Sequence, residues 1–463
     1  MNYRVFQTWL SALTVVLLFC LVVHQGWVGV SMENDGLIYA SIAKHQALNQ
    51  GSFWFPYSML GEESFHHHPP LAFWLQSVYF RVFGDAFWVE NLYQVTCLLL
   101  ILVVLAIVAK QIQQIERVWL ILLCYLTMPV IAFVFTDNFL EVTLTLFAVS
   151  AIGTQLAATR SENWSGFVWM PLAAVLTVGA FLTKGPVGLF PLIAPMVFAW
   201  MFETPFKKFA SLYGAYLVSL FVLAAGLVTS VEARTSLQAY IEFQWLGTAM
   251  GERPQVHGRD YFIGQLLSNL LVPGIIVAIM GWRLGITANR NATGWLIIAL
   301  SASIPMLISP RHFKWYIAPS LPFYALFFAS LVKPSEKLVS PRQVAMTAVL
   351  CTALFFGFLY ESIKNFGSAD NDHGAIHDLT TLKAALPRGA RIGICRQDVP
   401  DAHQSQATIN VRYILYLSRH HSIEVLPFDG QEFLFCDDLE AVPADYRQLN
   451  LGLQVHNLYQ HSP

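Results

Sequence analysis

The sequence predicts a polytopic α-helical membrane protein that ends in a small soluble α/β domain. Of the 463 residues, 56% are hydrophobic and only 12% are charged, whereas ordinary soluble domains carry about 25% charged residues. Apolar runs of about 17–23 residues, long enough to span the hydrocarbon core of a bilayer, recur as far as position 360. The net charge of −2 and the lack of a basic tract give no indication of a nucleic-acid partner.

The apolar runs predict about eleven transmembrane helices. The first run is expected to be an uncleaved signal anchor, because it is long and lacks a small-x-small cleavage pattern near its end. The predicted helices lie at roughly 8–30, 87–109, 118–135, 138–157, 166–182, 187–202, 209–230, 261–282, 293–309, 312–331 and 343–360.

The positions of lysine and arginine predict the orientation of these helices. With a cytoplasmic N-terminus, the inner loops hold eleven of these residues and the outer loops hold eight, although the outer loops are several times longer. Positive charge is denser in the cytoplasmic loops of membrane proteins, so the N-terminus is expected inside. An odd number of helices then places the C-terminal region outside.

The first outer loop, about residues 31–86, is expected to hold two short helices in the membrane interface. Gly36 to Asn49 has apolar residues near helical spacing, with polar residues between them. Pro70 to Phe83 combines a proline in its first turn with an aromatic face. Amphipathic helices of this type lie in the plane of the interface rather than across the membrane.

The composition changes near residue 360, which predicts a transmembrane domain at 1–360 and a soluble periplasmic domain at 361–463. The second domain has neither a glycine-rich nucleotide loop nor a metal-spaced set of Cys and His. Cys395 and Cys436 would be able to form a disulfide in an oxidising compartment. Local patterns in this domain predict a helix at 411–418 and strands at 391–395, 422–426 and 432–436.

Two carboxylates, Glu33 and Asp35, directly follow the first predicted helix. A carboxylate at such a boundary can accept a proton from an acceptor hydroxyl or bind a hard divalent cation, but it can also be an ordinary solvated residue. Asp137 lies in a tight outer turn between two predicted helices. Asp137 could act in catalysis together with Glu33 and Asp35, or it could only satisfy backbone hydrogen bonds of the turn.

Three histidines, His66, His67 and His68, precede a double proline in the first outer loop. Such a run can bind a metal ion, carry charge near a phosphate, or simply add polarity at the interface. Adjacent side chains cannot all point one way, so at most one or two can act together. We favour His68 as a phosphate or metal contact, and Asp35, His66 and His67 are candidate ligands of a divalent metal.

Basic residues on the same face form a candidate phosphate site. Lys184 lies between two apolar runs without a long loop, and Gly185 and Pro186 would break the helix and free backbone N–H groups for an anion; the alternative is simple snorkelling. Arg can grip a phosphate through two parallel hydrogen bonds, and cations stabilise the charge that grows on a leaving phosphate. The other basic candidates are Arg253, Arg259, Arg311 and Lys314.

These motifs resemble those of the GT-C superfamily of polyprenyl-phosphate-sugar glycosyltransferases, in particular the bacterial aminoarabinose transferases to lipid A and the protein O-mannosyltransferases. The relatives usually have Asp-Glu where this chain has Glu33, Asn34 and Asp35, so Asp35 is the match for their key carboxylate. They often have Lys at the position of His68. The resembling features cover residues 1–330: the acidic pair, a basic-Pro-Pro-Leu motif at 68–71, Asp137, Thr-Lys-Gly-Pro at 183–186, and an Arg-Trp/Tyr-Pro pattern at 311–322.

The resemblance implies a GT-C fold and a single inverting displacement on the periplasmic side of a bacterial inner membrane. The donor would be a sugar on a polyprenyl phosphate, expected to be undecaprenyl phosphate. The acceptor would be lipid A, lipopolysaccharide core, a wall polymer or a protein. Asp35, with Glu33 and Asp137, would orient or deprotonate the acceptor, with or without a divalent metal ion.

Two other function classes are open to a chain of this composition. A lipid or sugar transporter or flippase without bond chemistry would place charged residues near the midplane of the helices, whereas this sequence places them at one rim. A non-catalytic assembly partner with a degenerate site is the third hypothesis.

Overall fold

The computed structural model describes residues 3–24, 31–57, 64–162, 165–247, 250, 255–333, 341–364, 372–395 and 411–462. The chain forms two compact units. The helical unit comprises residues 1–26 and 94–364, and the mixed unit comprises residues 27–93 and 365–463. The sequence-based division placed residues 27–93 with the transmembrane helices, whereas in the structure this segment folds with the C-terminal region.

The described part of the chain is mostly helical. Its α-helices are α1 (Tyr3–Val23), α2 (Asn34–Ala47), α3 (Leu71–Phe83), α4 (Val89–Gln111), α5 (Val118–Leu126), α6 (Pro129–Thr136), α7 (Leu140–Arg160), α8 (Ser165–Lys184), α9 (Ala194–Met201), α10 (Phe206–Thr229), α11 (Val231–Tyr240), α12 (Arg259–Leu284), α13 (Arg290–Ser303), α14 (Leu321–Leu331), α15 (Pro341–Lys364), α16 (His373–Ala385) and α17 (Val411–His421). Short 3-10 helices cover Ile115–Arg117, Gly185–Ile193, Ile304–Ile308, Lys314–Ser320 and Leu439–Ala441, and a π-helix covers Ile241–Leu246.

Several of these helices are long and apolar enough to cross a membrane. Within the described ranges there are six such segments, and the pair α5 and α6, bent by 71°, would make a seventh. The chain is therefore a multi-pass membrane protein. The predicted number of eleven helices, and the sidedness derived from it, remain predictions. The six segments are Val89–Gln111, Leu140–Arg160, Gly166–Met201, Phe206–Thr229, Arg259–Leu284 and Arg290–Ile308.

The predicted helices at 166–182 and 187–202 correspond to α8 and to the 3-10 helix Gly185–Ile193 with α9 after it. By length and composition the stretch Gly166–Met201 is one apolar segment of 36 residues. The chain nevertheless turns sharply after Lys184, because Gly185 has φ of 72° and a Cβ atom added at Gly188 would lie 2.4 Å from the backbone of Ala180. Residues eight apart in a continuous α-helix are about 12 Å apart along its axis, so the structure has the tight turn that the sequence predicts at Lys184.

Small residues allow α7 and α8 to pack closely within the helical unit. Ala173, Ala174 and Ala180 are fully buried. A Cβ atom added at Gly179 of α8 would come within 2.6 Å of the ring of Phe147 on α7. Helices in a membrane associate through such close van der Waals contacts, so a larger residue at position 179 would separate the two helices.

The C-terminal part of the mixed unit is the small α/β domain that the sequence predicts. β1 pairs in parallel with β2 and β3, and β5 pairs antiparallel with β3 and β4. α17 lies between β1 and β2 in the chain, as a crossover between parallel strands requires. The strand order is β2-β1-β3-β5-β4, with β1 (Arg391–Ile394), β2 (Glu424–Pro427), β3 (Phe433–Phe435), β4 (Tyr446–Gln448) and β5 (Leu458–His461).

Cys395 and Cys436 form a disulfide. The two cysteines directly follow β1 and β3, which are neighbours in the sheet, and their Cα atoms lie 5.3 Å apart. The sequence left this pairing open because two cysteines alone give no spacing pattern and because a disulfide requires an oxidising compartment.

The two helices predicted in the first outer loop are α2 and α3. α2 was expected to be an amphipathic surface helix, but nearly all of its residues from Gly36 to Gln46 are buried. It packs against both α3 and α17. α17, from the C-terminal region, thus covers polar side chains of α2 that the sequence pattern assigned to an exposed face.

A buried ion cluster joins these helices. The guanidinium of Arg419 on α17 is fully buried and lies 2.6 Å from a carboxylate oxygen of Asp85 and 2.7 Å from one of Glu90. The ammonium of Lys44 on α2 donates a hydrogen bond to the carbonyl of Arg419 at 2.6 Å and lies 3.2 Å from Asp85. Arg388 also pairs with Asp85, at 2.7 Å. Residues from the first outer loop and from the C-terminal region are therefore bound together by charge.

Within this cluster, burial disfavours the protonated, charged form of Lys44. Burial, with the positive charges of Arg419 and Arg388, lowers the pKa of Lys44 to about 7, although Asp85 opposes the shift. The same desolvation, with Lys44 beside it, lowers the pKa of His45 to about 3. His45 is therefore neutral at physiological pH.

We expect Arg419→Met to destabilise the protein strongly. The substitution leaves Asp85 and Glu90 without their buried cation, and removal of one partner from a buried ion pair costs about 3–5 kcal/mol. Arg391→Met is the control, because Arg391 is 70% exposed and its pair with Glu424 is a surface salt bridge, worth about 0–1 kcal/mol. Thermal unfolding of the full-length protein in detergent compares the two. Equal losses would contradict the importance of the Arg419 cluster.

We also expect the stability of the wild-type protein to rise between pH 7 and pH 9 relative to a Lys44→Met variant. The pKa of Lys44 is about 7 in the folded protein and about 10.4 in an unfolded chain. Over this interval the unfolded state binds more protons, so the free energy of unfolding increases with pH. Melting temperatures of both proteins at pH 7, 8 and 9 measure the difference, and parallel pH profiles would contradict it.

Candidate active site

The predicted site residues are divided between the two units. Glu33, Asp35 and the three histidines belong to the mixed unit, whereas Asp137, Lys184, Arg259, Arg311 and Lys314 belong to the helical unit. Arg253 lies outside the described residues.

Glu33 and Asp35 occupy the N-terminal end of α2. Glu33 is the N-cap residue, with extended backbone angles, and its carbonyl accepts a hydrogen bond from the amide of Leu37 at 3.0 Å. Asp35 lies in the first turn and is half-buried. The positive end of the helix dipole favours a carboxylate at this position. The Glu33 carboxylate lies 3.6 Å from the guanidinium of Arg412, a partner that the sequence did not indicate.

The three histidines each contact a different aromatic ring. His66 meets Phe55 edge-on at 5.7 Å, and His67 lies 4.6 Å from Phe65. His68 meets Tyr39 edge-on at 5.7 Å. Tyr39 lies four residues after Asp35 on α2, and residues four apart share one face of a helix. His68 is therefore the histidine that lies against the face of α2 carrying Asp35.

The described residues contain no group of three or more His, Cys, Asp or Glu side chains arranged to hold a metal ion. His66 meets its ring edge-on and His67 lies tilted against another ring. A divalent metal held by Asp35, His66 and His67 stays a prediction. We derive no catalytic step through a metal.

Asp137 forms the predicted turn at the end of α6. Its amide donates to the carbonyl of Phe133 at 3.1 Å, and its carboxylate accepts from the hydroxyl of Thr136 at 3.4 Å. Asn138 takes the left-handed conformation, with φ of 56°. The amide of Gln94 donates to the Asn138 side chain at 2.7 Å. Hydrogen bonds with α6 and with Gln94 of α4 therefore fix the turn before α7 begins.

Lys184 ends α8 in a nearly buried ion pair. Its ammonium contacts the carboxylate of Glu141, and the side chains are only 11% and 2% exposed. The ammonium also lies 4.5 Å from the ring centroid of Tyr316. Gly185, with φ of 72°, lets Tyr240 approach so closely that a Cβ atom there would lie 2.2 Å from the Tyr240 hydroxyl oxygen. The backbone after Lys184 therefore requires glycine.

Sequence reasoning missed Glu141. It lies in the first turn of α7, four residues after Asp137, and was counted as part of an apolar run. The signal that could have found it is that an ionisable residue within a spanning segment is functional or paired by default.

Arg311 and Lys314 lie around the start of the 3-10 helix Lys314–Ser320. The Arg311 guanidinium lies 5.2 Å from the ring centroid of Phe313, and the Lys314 ammonium lies 3.4 Å from that of Phe133. Trp315 stacks on Phe139 at 4.6 Å. Phe133 and Phe139 flank Asp137 in the chain. The turn at 309–316 thus meets the Asp137 turn and, through Tyr316, Lys184.

The basic residues of this site differ in their partners. Lys184 has its charge matched by Glu141, but within the described ranges neither Arg311 nor Lys314 forms an ion pair with a carboxylate. Arg259 is exposed at the first position of α12. Its loop is joined to the Arg311 turn, because the amide of His312 donates to the carbonyl of Val256 at 2.9 Å.

Comparison with known proteins identifies the architecture. Residues 67–229 match the family model described as dolichyl-phosphate-mannose-protein mannosyltransferase. The crystal structure of ArnT from Cupriavidus metallidurans bound to undecaprenyl phosphate superposes with a TM-score of 0.69 at 13% identity, covering 98% of each chain. The chain has the GT-C fold.

Further structures agree with this GT-C fold. The apo form of ArnT from Cupriavidus metallidurans gives a TM-score of 0.65 at 15% identity, covering 92% of this chain and 86% of that one. The archaeal oligosaccharyltransferase AglB from Archaeoglobus fulgidus, in complex with an inhibitory peptide and a dolichol-phosphate, gives 0.50 at 14% identity, covering 91% of this chain and 65% of the other. No curated protein sequence matches. The GT-C resemblance predicted from the motifs is confirmed.

We expect Lys184→Met to destabilise the protein and Lys184→Met/Glu141→Leu to restore its stability. The single change leaves the Glu141 carboxylate buried without its cation, at a cost of about 3–5 kcal/mol, whereas apolar replacement of a whole buried pair is often neutral. Arg290→Met is the control, because Arg290 is 52% exposed in its pair with Glu203. Thermal unfolding measures stability. A double variant as unstable as the single one would contradict the pairing.

Proposed function

We propose that the protein is a membrane glycosyltransferase that moves a sugar from a polyprenyl phosphate, such as undecaprenyl phosphate, to an acceptor outside the cytoplasm. The main support is the pair of cations Arg311 and Lys314, which lie next to the Asp137 turn and have no carboxylate partner in the part of the chain that the structure describes. In a GT-C fold, such a pair suits an anionic lipid phosphate. Lys184 contributes a fixed hydrogen-bond donor rather than net charge, because Glu141 balances it.

The proposed reaction is a single inverting displacement. The acceptor oxygen forms a bond to the anomeric carbon of the sugar as the bond from that carbon to the phosphate oxygen breaks. The lipid phosphate leaves with the electron pair of the broken bond, and Arg311 and Lys314 stabilise its charge. Asp35 takes the proton of an acceptor hydroxyl. His68, on the same side of α2, is proposed as a further phosphate contact, and Arg253 and Arg259 as outer ones.

We propose that the site and the sheet of the mixed unit lie on the periplasmic side of a bacterial inner membrane. The disulfide between Cys395 and Cys436 supports this orientation, because disulfides persist in oxidising compartments such as the periplasm. Lipid A, lipopolysaccharide core, a wall polymer and a protein are the candidate acceptors. Mass spectrometry of cell-envelope lipids and glycans, with and without the gene, identifies the transferred sugar and its acceptor by what is lost.

We expect Asp35→Asn and Arg311→Met to impair transfer in different ways. Loss of the base lowers kcat by about 10²–10⁴-fold, whereas loss of the guanidinium weakens donor binding by about 10–100-fold. Arg290→Met, a cation with its own carboxylate partner, is the control and should change neither. The assay is transfer from purified donor lipid by protein in detergent.

Near wild-type transfer by Asp35→Asn would contradict its role as the base. Movement of the donor lipid across vesicles without any sugar transfer would instead support the transporter hypothesis.

A further inference from the structure

A buried polar cluster centred on Asp372 connects the C-terminal region to the segment that carries Asp35. Asp372 is only 5% exposed. Its carboxylate accepts hydrogen bonds from the hydroxyl of Tyr416 at 2.7 Å, from the hydroxyl of Ser31 at 2.8 Å and from the Nε of Arg412 at 2.8 Å. One carboxylate thus links α17 to the chain just before α2.

The same α17 side chains hold three consecutive residues before Asp35. The Nη2 of Arg412 donates to the hydroxyl of Ser31 at 3.0 Å, and its Nη1 lies 3.6 Å from the carboxylate of Glu33. The amide of Met32 donates to the hydroxyl of Tyr416 at 3.1 Å. α17 therefore contacts the side chain of Ser31, the backbone of Met32 and the side chain of Glu33.

These contacts hold the end of the helix that presents Asp35. Glu33 is the N-cap of α2, and Asp35 follows in its first turn. Helix ends fray unless their groups find partners. The side chains of Met32 and Leu37 pack against Leu415 and Tyr416, so apolar contact adds to the polar one. The N-terminal end of α2, which carries Asp35, is thus held by a part of the chain more than 300 residues away in sequence.

The two α17 side chains of the cluster, Tyr416 and Arg412, keep their protons at physiological pH. Burial and the neighbouring Asp372 raise the pKa of Tyr416, so that its hydroxyl keeps its proton and donates. Asp372, with Tyr416 and Glu33, raises the pKa of Arg412 despite its partial burial. Both side chains therefore remain hydrogen-bond donors to Asp372.

We propose that Arg412, Tyr416 and Asp372 are positioning residues for the proposed catalytic carboxylate Asp35, which makes the C-terminal region part of the catalytic apparatus. This inference rests on the proposed function. A general base must stay within hydrogen-bond reach of the proton it removes, and a displacement of about 1 Å can cost about 10²-fold in rate. A loosened N-terminus of α2 would lower the rate of the chemical step without changing how the donor lipid binds.

The test compares two matched tyrosine variants of the full-length protein. Tyr416→Phe removes the hydroxyl that holds Met32 and Asp372. Tyr57→Phe removes a hydroxyl that donates to Glu424 at 2.9 Å. Like the Tyr416 hydroxyl, which contacts the segment before α2, the Tyr57 hydroxyl in the segment after α2 joins the first outer loop to the C-terminal region. The partner of the Tyr57 hydroxyl is Glu424 rather than any residue of 31–35. We expect Tyr416→Phe to lower kcat by about 10–100-fold with the donor KM within about twofold, and Tyr57→Phe to leave kcat unchanged.

Arg412 provides an independent test with a conservative rescue. Arg412→Met should lower kcat as Tyr416→Phe does, and Arg412→Lys, which keeps the charge near Asp372 and Glu33, should recover part of the rate. Hydrogen exchange of the amides at 31–37 should be faster in Tyr416→Phe and Arg412→Met than in the wild-type protein. It should be unchanged in Tyr57→Phe.

The outcomes separate this inference from the proposed function. If Asp35→Asn abolishes transfer but Tyr416→Phe and Arg412→Met keep kcat within twofold of the wild-type value, the positioning role is overturned and the glycosyltransferase stands. Equal losses in Tyr416→Phe and Tyr57→Phe, or a change confined to KM, would also overturn it. If Asp35→Asn transfers normally, the proposed base itself is wrong, whatever the exchange data report.

Discussion

The buried guanidinium of Arg419 is the interaction on which the mixed unit depends. It binds Asp85 and Glu90, which precede it by 334 and 329 residues, and so brings a loop near the start of the chain together with the C-terminal region. A buried charge is tolerated only when its partners surround it. Because Lys44 and Arg388 share Asp85, neither α2 nor the C-terminal sheet can shift without exposing or isolating a charge.

The helical unit uses charge in a different way. Lys184 is neutralised by Glu141, and the pair is nearly dry, which fixes the ammonium in place but removes most of its attraction for a distant anion. Arg311 and Lys314 lie against aromatic rings instead. A ring face stabilises a cation by about 0.5–2 kcal/mol without cancelling its charge. Arg311 and Lys314 thus keep their positive charge for the proposed phosphate. Lys184 contributes an ammonium group in a fixed position.

The sequence predicts elements better than it predicts partners. Apolar runs and turn residues were sufficient for most of the helices, for α2 and α3, and for β1 to β3. β4 (Tyr-Arg-Gln) and β5 (Leu-Tyr-Gln-His) were not predicted, because polar residues interrupt both strands and leave no apolar run. The burial of α2 could not be predicted because α17 covers it from far away in sequence. Arg412 and Arg419 were missed for the same reason, since a pairing between distant positions leaves no local signal. Glu141 was missed because it was counted as part of an apolar run, although its charge was a local signal.

The proposed role of Asp35 as the base gives a membrane glycosyltransferase a reason to carry a C-terminal α/β domain. A carboxylate just outside the first helix would be placed only by a loop, and loops are the more mobile parts of proteins. Folding that loop into a unit with its own sheet replaces a flexible connection by a packed helix whose first turn is braced at Ser31, Met32 and Glu33. Since rigid elements hold reacting groups more accurately than loops do, the C-terminal region would, on the proposed role of Asp35, contribute to catalysis by holding the first turn of α2 in place.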